Sequence, residues 1–340
     1  MKDFHLMHPC ADLCAAVANL AATVLRRRAL PIMFWSVSVA SVQAQNIDSV
    51  APPHRRHHAV AYDPVGRRVL LFGGQHLVSN TEAPMLQDLW SWNGRQWTQL
   101  TEQSGLSMIA HHIYASPAGI FITANRLGLT VRWDGQHWAT VVNDSATRRE
   151  MAAGAFDAQR NRFVLFGGHV DGRSFPRDTW EFDGQRWHHM AADGPPARLG
   201  GAMAFDTDRH VTVMFGGLDS AGRKLRDTWE WNGARWSRVS NTGPSARFGH
   251  GMAYDAARHE SVIFGGVDST SQKLNDSWRW NGRSWMRAET SVAPSPRSEG
   301  HLAFDASRGV IVMFGGEGEQ TIPTLNDTWE WDGSRWKRVR

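Results

Sequence analysis

Five arginines, Arg55, Arg149, Arg198, Arg247 and Arg297, each stand eight residues ahead of an aspartate: Asp63, Asp157, Asp206, Asp255 and Asp305. A second set, Asp88, Asp178, Asp227, Asp276 and Asp327, each precedes a tryptophan by two residues. Guanidinium groups repeated in this way have two uses. They pair with carboxylates of the same chain, across or between repeats, as buried charges normally must. Alternatively they bind anions such as carboxylates or acidic sugars bidentately, which makes these five arginines candidate ligand-binding residues around a common mouth. His58 and His250 share one position of the pattern and His301 lies one residue beyond it; these three are further ligand-binding candidates. His111 and His112 fall in the matching region of a divergent repeat. Several imidazoles near one axis have the composition of a metal site. Glu299 and Glu150 are the acids nearest the same positions, and are the candidates for general acid–base catalysis.

The spacing of these residues defines the elements that must carry them. Phe-Gly-Gly occurs at 72–74, 166–168, 215–217, 264–266 and 314–316, and the first glycines are 94, 49, 49 and 50 residues apart. A period near 49 is the signature of a repeat architecture. Each period reads as four short strands. Strand A runs from the arginine to the aspartate. Strand B is an apolar run ending at Gly-Gly, such as Val211 to Phe215. Strand C is the alternating Asp-x-Trp-x-aromatic segment, and strand D holds a final tryptophan: Trp97, Trp138, Trp187, Trp236, Trp285 or Trp336. An Asn-Gly or Asp-Gly turn joins C to D in a tight hairpin. Six final tryptophans against five Gly-Gly pairs leave one divergent repeat, roughly 107–142. It lacks the arginine, the Gly-Gly and the Asp-x-Trp together. Four antiparallel strands repeated six times predict an all-β, six-bladed β-propeller whose second blade is degenerate. All 16 tryptophans after residue 45 fall on strands C and D, as packing between blades requires.

The paired glycines, the Asp-x-Trp-x-aromatic and the later tryptophan resemble the kelch family of propellers, over 55–340. The resemblance implies blades around a central channel and ligand contacts at the strand A positions. It also implies that histidine in its slot needs no metal, so no metal or other cofactor is expected. Galactose-oxidase-like chemistry, which the family includes, needs copper and a Tyr–Cys crosslink. Only Tyr62, Tyr114 and Tyr254 are present, and both cysteines, Cys10 and Cys14, lie near the start of the chain. That activity is not expected. Periplasmic sialic-acid epimerases are also similar to this pattern, and they supply the alternative reading as a carbohydrate-active enzyme. Many kelch rings close by sharing a strand between the termini. Here strand A comes first and strand D last, so closure falls to the segment 45–54 or to plain packing of blade 6 on blade 1.

Composition narrows the rest. The chain has 340 residues, of which 41% are hydrophobic, and a net charge of +4. Its basic residues are 33 Arg and 4 Lys, without the clustered stripe of a nucleic-acid binder. Arg26 to Arg28, the apolar stretch Ala29 to Val39 and Val42-Gln43-Ala44 form the three parts of an export signal, so residues 1–44 are expected to be a signal peptide with a long extension. Removal of that segment leaves a net charge of about +2 and no cysteine, so burial alone must hold the domain. The expectation is a periplasmic or secreted bacterial monomer without stable membrane insertion. Short A–B and C–D turns of constant composition are structural, whereas the B–C loops vary: 13 residues at 75–87, about 3 in blade 2, 9 in blades 3 to 5, and 10 at 317–326. Variable loops on a rigid scaffold carry binding. The expected function is an exported binding or scaffold module that takes a protein, glycan or acidic ligand on the rim built from D–A and B–C loops.

Overall fold

In the computed structural model the described residues are 51–77, 83–102, 112–124, 127–144, 147–170, 174–190, 194–319 and 324–340. They belong to one compact unit, Asp48–Arg340. The signal-like segment 1–44, His111 and parts of the B–C loops lie outside them.

Six four-stranded antiparallel sheets form, each from four consecutive strands. Blade 4 is representative: Ala202–Asp206, Val211–Leu218, Lys224–Trp231 and Trp236–Ser240. The six A strands are Ala59–Asp63, His112–Ser116, Ala153–Asp157, Ala202–Asp206, Gly251–Asp255 and His301–Asp305. Each touches the next, and the sixth touches the first, so the ring closes around a channel that they line. Strand A is shorter than the repeat suggests. Its ladder begins four residues after each arginine, because the arginine and the residues behind it turn over the rim instead.

Strand B is apolar on both faces because a blade packs on each side of it. Val69, Leu70, Leu71 and Phe72 have no exposed surface. Gly-Gly ends this run for a geometric reason. The ladder to strand C shifts register at Phe72/Gly74, Phe215/Gly217 and Phe314/Gly316, and both glycines take positive φ, for example 65° at Gly216 and 112° at Gly217. A Cβ at Gly216 would stand 2.6 Å from the Arg247 carbonyl oxygen of the next blade. In these blades the ladder resumes beyond the bulge, so the B–C loops are shorter than the spacing of the repeat implies.

The tryptophans join neighbouring blades, as their positions require. Each aromatic of this size removes about 150–250 Å² from water on burial. Trp236 packs edge-on against Phe166 of the preceding blade at 5.2 Å, and its indole donates to Thr179 Oγ1 at 2.8 Å. The same pair recurs as Trp285 with Phe215 and Thr228, and as Trp97 with Phe314 and Thr328. That last set closes the ring by packing blade 1 on blade 6, with no shared strand. Segment 51–56 assists: His54 Nδ1 donates to Thr324 O and Arg55 N to Leu325 O. Blade 2 keeps its four strands without the arginine, the Gly-Gly or the Asp-x-Trp, retaining only Trp133, its Asp-Gly turn and Trp138. Tyr114 takes the strand position held by alanine in the other five blades and stacks on Phe121, Phe156 and Phe163 at 4.9–5.0 Å.

Candidate functional site

The five arginines do not line the mouth of the channel. Each is 0–3% exposed and forms a salt bridge of 2.6–2.8 Å with the Asp-x-Trp aspartate of its own blade. Arg198 is typical. It donates to both Asp227 carboxylate oxygens, to the Gly216 carbonyl and to the Pro196 carbonyl, while the Trp229 indole donates to the same aspartate at 2.7 Å. Burial alone would raise the carboxyls of Asp178, Asp227, Asp276 and Asp327, but the hydrogen bonds and charge of the guanidinium, with the indole N–H, together outweigh it and hold them below the usual carboxylate range. This clamp ties the start of strand A, the glycine bulge and the start of strand C together. The expectation that these arginines bind an anionic ligand is therefore corrected: their donors are committed to the fold.

The chemistry of the mouth begins two residues further on. His57, Met151, Gly200, Gly249 and Glu299 all stand at the clamp arginine plus two, and all take positive φ of 53–64°. The left-handed turn links blade to blade: Gly200 N donates to Met151 O, Gly249 N to Gly200 O, and Glu299 N to Gly249 O. Glycine meets this requirement without strain. Blades 1, 3 and 6 nonetheless place a side chain there, and such strained positions concentrate at functional sites. His57 Nδ1 lies 2.9 Å from Glu299 Oε2, an ion-pair distance. Burial would raise the Glu299 carboxyl, yet His57 and the neighbouring His301 and Arg56 bring it down to about 2, so it is ionised.

The remaining candidates separate into two groups. His58 is buried and donates from Nε2 to the Phe314 carbonyl of blade 6; His250 packs edge-on against Phe215 of blade 4. His58 lies between blades, whereas His250 also reaches the channel wall. Burial pushes His58 well below the ordinary imidazole value and His250 to about 3. His301 and His112, by contrast, hold the first position of strand A in blades 6 and 2, flank Ala59 of blade 1 and line the channel. Burial lowers His301 to about 4, against the pull of Glu299, and His112 to about 3. His112 Nε2 donates to Ala152 O at 3.0 Å. Glu150 lies on the rim beside His169, 4.0 Å away, and is not brought together with Glu299 as an acid–base pair. Among the described residues no group of three or more His, Cys, Asp or Glu side chains forms a metal site.

The cavity holds about 400 Å³ and its two sides differ. On blades 6, 1 and 2 stand Glu299, His301, His57 and His112. On blades 3 to 5 the mouth offers Met151, Gly200 and Gly249, with Phe248 beside them and buried His250 as the one titratable group on that wall among these residues. A Cβ at Gly200 would lie 3.2 Å from Phe248 and 3.3 Å from Met151, so glycine leaves the space between these two open. Lys224 sits over the Phe248 ring at 5.9 Å. Outside the pair of Glu299 and His57, Arg56 and Lys273 both bind Glu317, at 2.8 and 2.9 Å. His57, Met151 and Phe248 do not stand out in the sequence because they do not repeat. Aligning the repeats on the arginine and reading the next two positions exposes them.

The KLHDC2/KLHL20/DRC7 Kelch-repeats domain model matches residues 155–340. No curated protein matches the sequence. Among solved structures the chain is similar to that titled "Structure of YjhT", with a TM-score of 0.63 and 12% identity, over 85% of this chain and 98% of that one. This likeness is one of fold.

Proposed function

The chain belongs to the kelch-repeat family, and from that premise we propose that it is a binding module whose D–A/B–C rim, centred on the channel mouth, receives a protein partner. Kelch propellers commonly bind proteins. The observation that carries the rim assignment is the contrast between its two layers. The clamp arginines are the same in five blades, whereas the pair of residues that follows is a different pair in each of the five: Arg56-His57, Glu150-Met151, Leu199-Gly200, Phe248-Gly249 and Ser298-Glu299. Variation at rigidly held positions supplies an asymmetric surface on a symmetric frame. The opposite rim favours a structural role. Its A–B turns are closed internally, as where Asp157 accepts from two backbone amides and from Arg160, which also grips Glu181.

The export-signal pattern in residues 1–44 supports placing the module in the periplasm or outside the cell. No helix among the described residues is long and apolar enough to cross a membrane. An acidic ligand, or an enzyme acting on acidic sugars, loses its support, because that reading rests on arginines that the five aspartates neutralise.

Selection of a displayed random-peptide library against the full chain tests the rim. Selected peptides should lose at least about tenfold in affinity on Phe248→Ala and keep it on Arg235→Ala, a substitution at the C–D turn of the opposite rim. Peptides that respond to Arg235→Ala and ignore the rim substitution would move the partner to the other face.

A further inference from the structure

The polar side of the mouth is rich in hydrogen-bond acceptors. Glu299 is ionised; His57 Nδ1 lies 2.9 Å from its Oε2, and no described residue donates to Oε1. His112 gives its Nε2 proton to Ala152 O, which fixes the tautomer and leaves Nδ1 an acceptor. Neutral His301 has no hydrogen bond from either ring nitrogen to a described residue, so it offers a further acceptor. The three groups line one cavity and feel one another: the Glu299 charge acts on His301, and His301 acts on His112. The nearby cations are engaged elsewhere, the clamp arginines on their aspartates and Arg56 and Lys273 on Glu317. Apolar groups complete the wall, with Ala59, Ala153 and Met151 among them.

We propose that this mouth is a receptor for a primary ammonium group, which a protein partner presents as a lysine side chain or as its chain N-terminus. An ammonium carries one positive charge and three N–H donors; the Glu299 carboxylate answers the charge, and His301 and His112 Nδ1 offer acceptors along the same wall. Charge-assisted bonds are the strong kind, and the alanine and methionine surfaces suit an aliphatic stem. The site disfavours anions for the same reason: every open group named here accepts, and the one charge is negative. The inference rests on the rim as the binding face, and it adds the chemistry of the group received.

Four probes on the full chain test it by thermal shift and calorimetry. They are N-α-acetyl-lysine amide, glycine amide, N-α,N-ε-diacetyl-lysine amide and acetate. The lysine probe, glycine amide or both should stabilise the protein, and which of the two does so identifies the source of the ammonium. The diacetylated probe and acetate should not stabilise it. Glu299→Gln should weaken binding at least about tenfold, whereas Asp332→Asn, at a C–D turn of the opposite rim, should leave it unchanged. Equal binding of the diacetylated probe, silence of all four probes, or full binding by a folded Glu299→Gln variant would each overturn the proposal. The diacetylated probe decides without any variant. If selected peptides bind the rim equally well after their amines are acetylated, the ammonium site falls and the rim reading stands. If no peptide maps to the rim, the rim reading itself falls.

Discussion

The clamp arginines and the residues two places after them are neighbours in sequence and obey different rules. Every clamp joins its arginine to the Asp-x-Trp aspartate and to the first glycine carbonyl of the bulge, and its arginine is buried. The positions after it share only a backbone conformation, and their side chains range from nothing at Gly200 to a carboxylate at Glu299. Repetition therefore marks what the fold needs, and its interruption at a fixed backbone position marks what the surface is used for. Stability should reside in the first layer and recognition in the second, and four measurements sharpen or break that division.

The largest effect is expected at a clamp. Arg198→Ala leaves the Asp227 carboxylate and the Gly216 carbonyl without their partner, and breaking a buried pair from one side costs about 3–5 kcal/mol. Urea unfolding should show that loss, while Glu299→Gln should move the midpoint far less. Equal losses would erase the distinction between layers.

Acid comes next. His58, His112, His250 and His301 have folded values below the ordinary 6.5, so the unfolded chain binds more protons as pH falls below 6.5. Stability should be complete above that point and decline from there toward pH 3–4. Each histidine contributes at most about 1.4 kcal/mol per pH unit. Denaturant midpoints at a series of pH values check the window. A decline that begins only below the carboxylate range would show that the imidazoles do not hold the channel wall together.

The third measurement compares blades. The Trp236 indole has Thr179 to bond, whereas the Trp138 N–H is buried without a partner, because Leu89 of blade 1 occupies the threonine position. Trp236→Phe should therefore cost about 1 kcal/mol more than Trp138→Phe, read as the difference in unfolding free energy. The smallest effect is expected at the strained layer. Met151→Gly relieves a left-handed residue and should stabilise by about 0.5 kcal/mol in the same assay.

Most of the frame is legible in the amino-acid sequence. The Gly-Gly bulges, the tryptophan seams and the six sheets follow from types and spacing that recur five times. The pairing of Arg with Asp is legible as one of two uses, and the absence of both from blade 2 points to it, since paired charges are lost together. Periodicity does not show which way Arg198 faces, because a guanidinium that fills an anion site and one that fills a clamp leave the same mark. His57 and Met151 stay hidden for the opposite reason. Their meaning lies in a backbone angle that glycine satisfies in two blades, and a residue at a glycine position reads as ordinary variation until φ is known.

The seam between blades 6 and 1 carries the same indole bond and the same arginine-to-loop contact as seams inside the chain. Both ends of the described chain abut strand C of blade 6: His54 at Thr324, and Arg340 at Thr328. The disc therefore has no privileged first blade. A circular permutant that splices 340 to 51 and opens at the 241–246 connection should assemble the same wheel, since each spoke recognises its neighbour by contact rather than by its place in the order of synthesis.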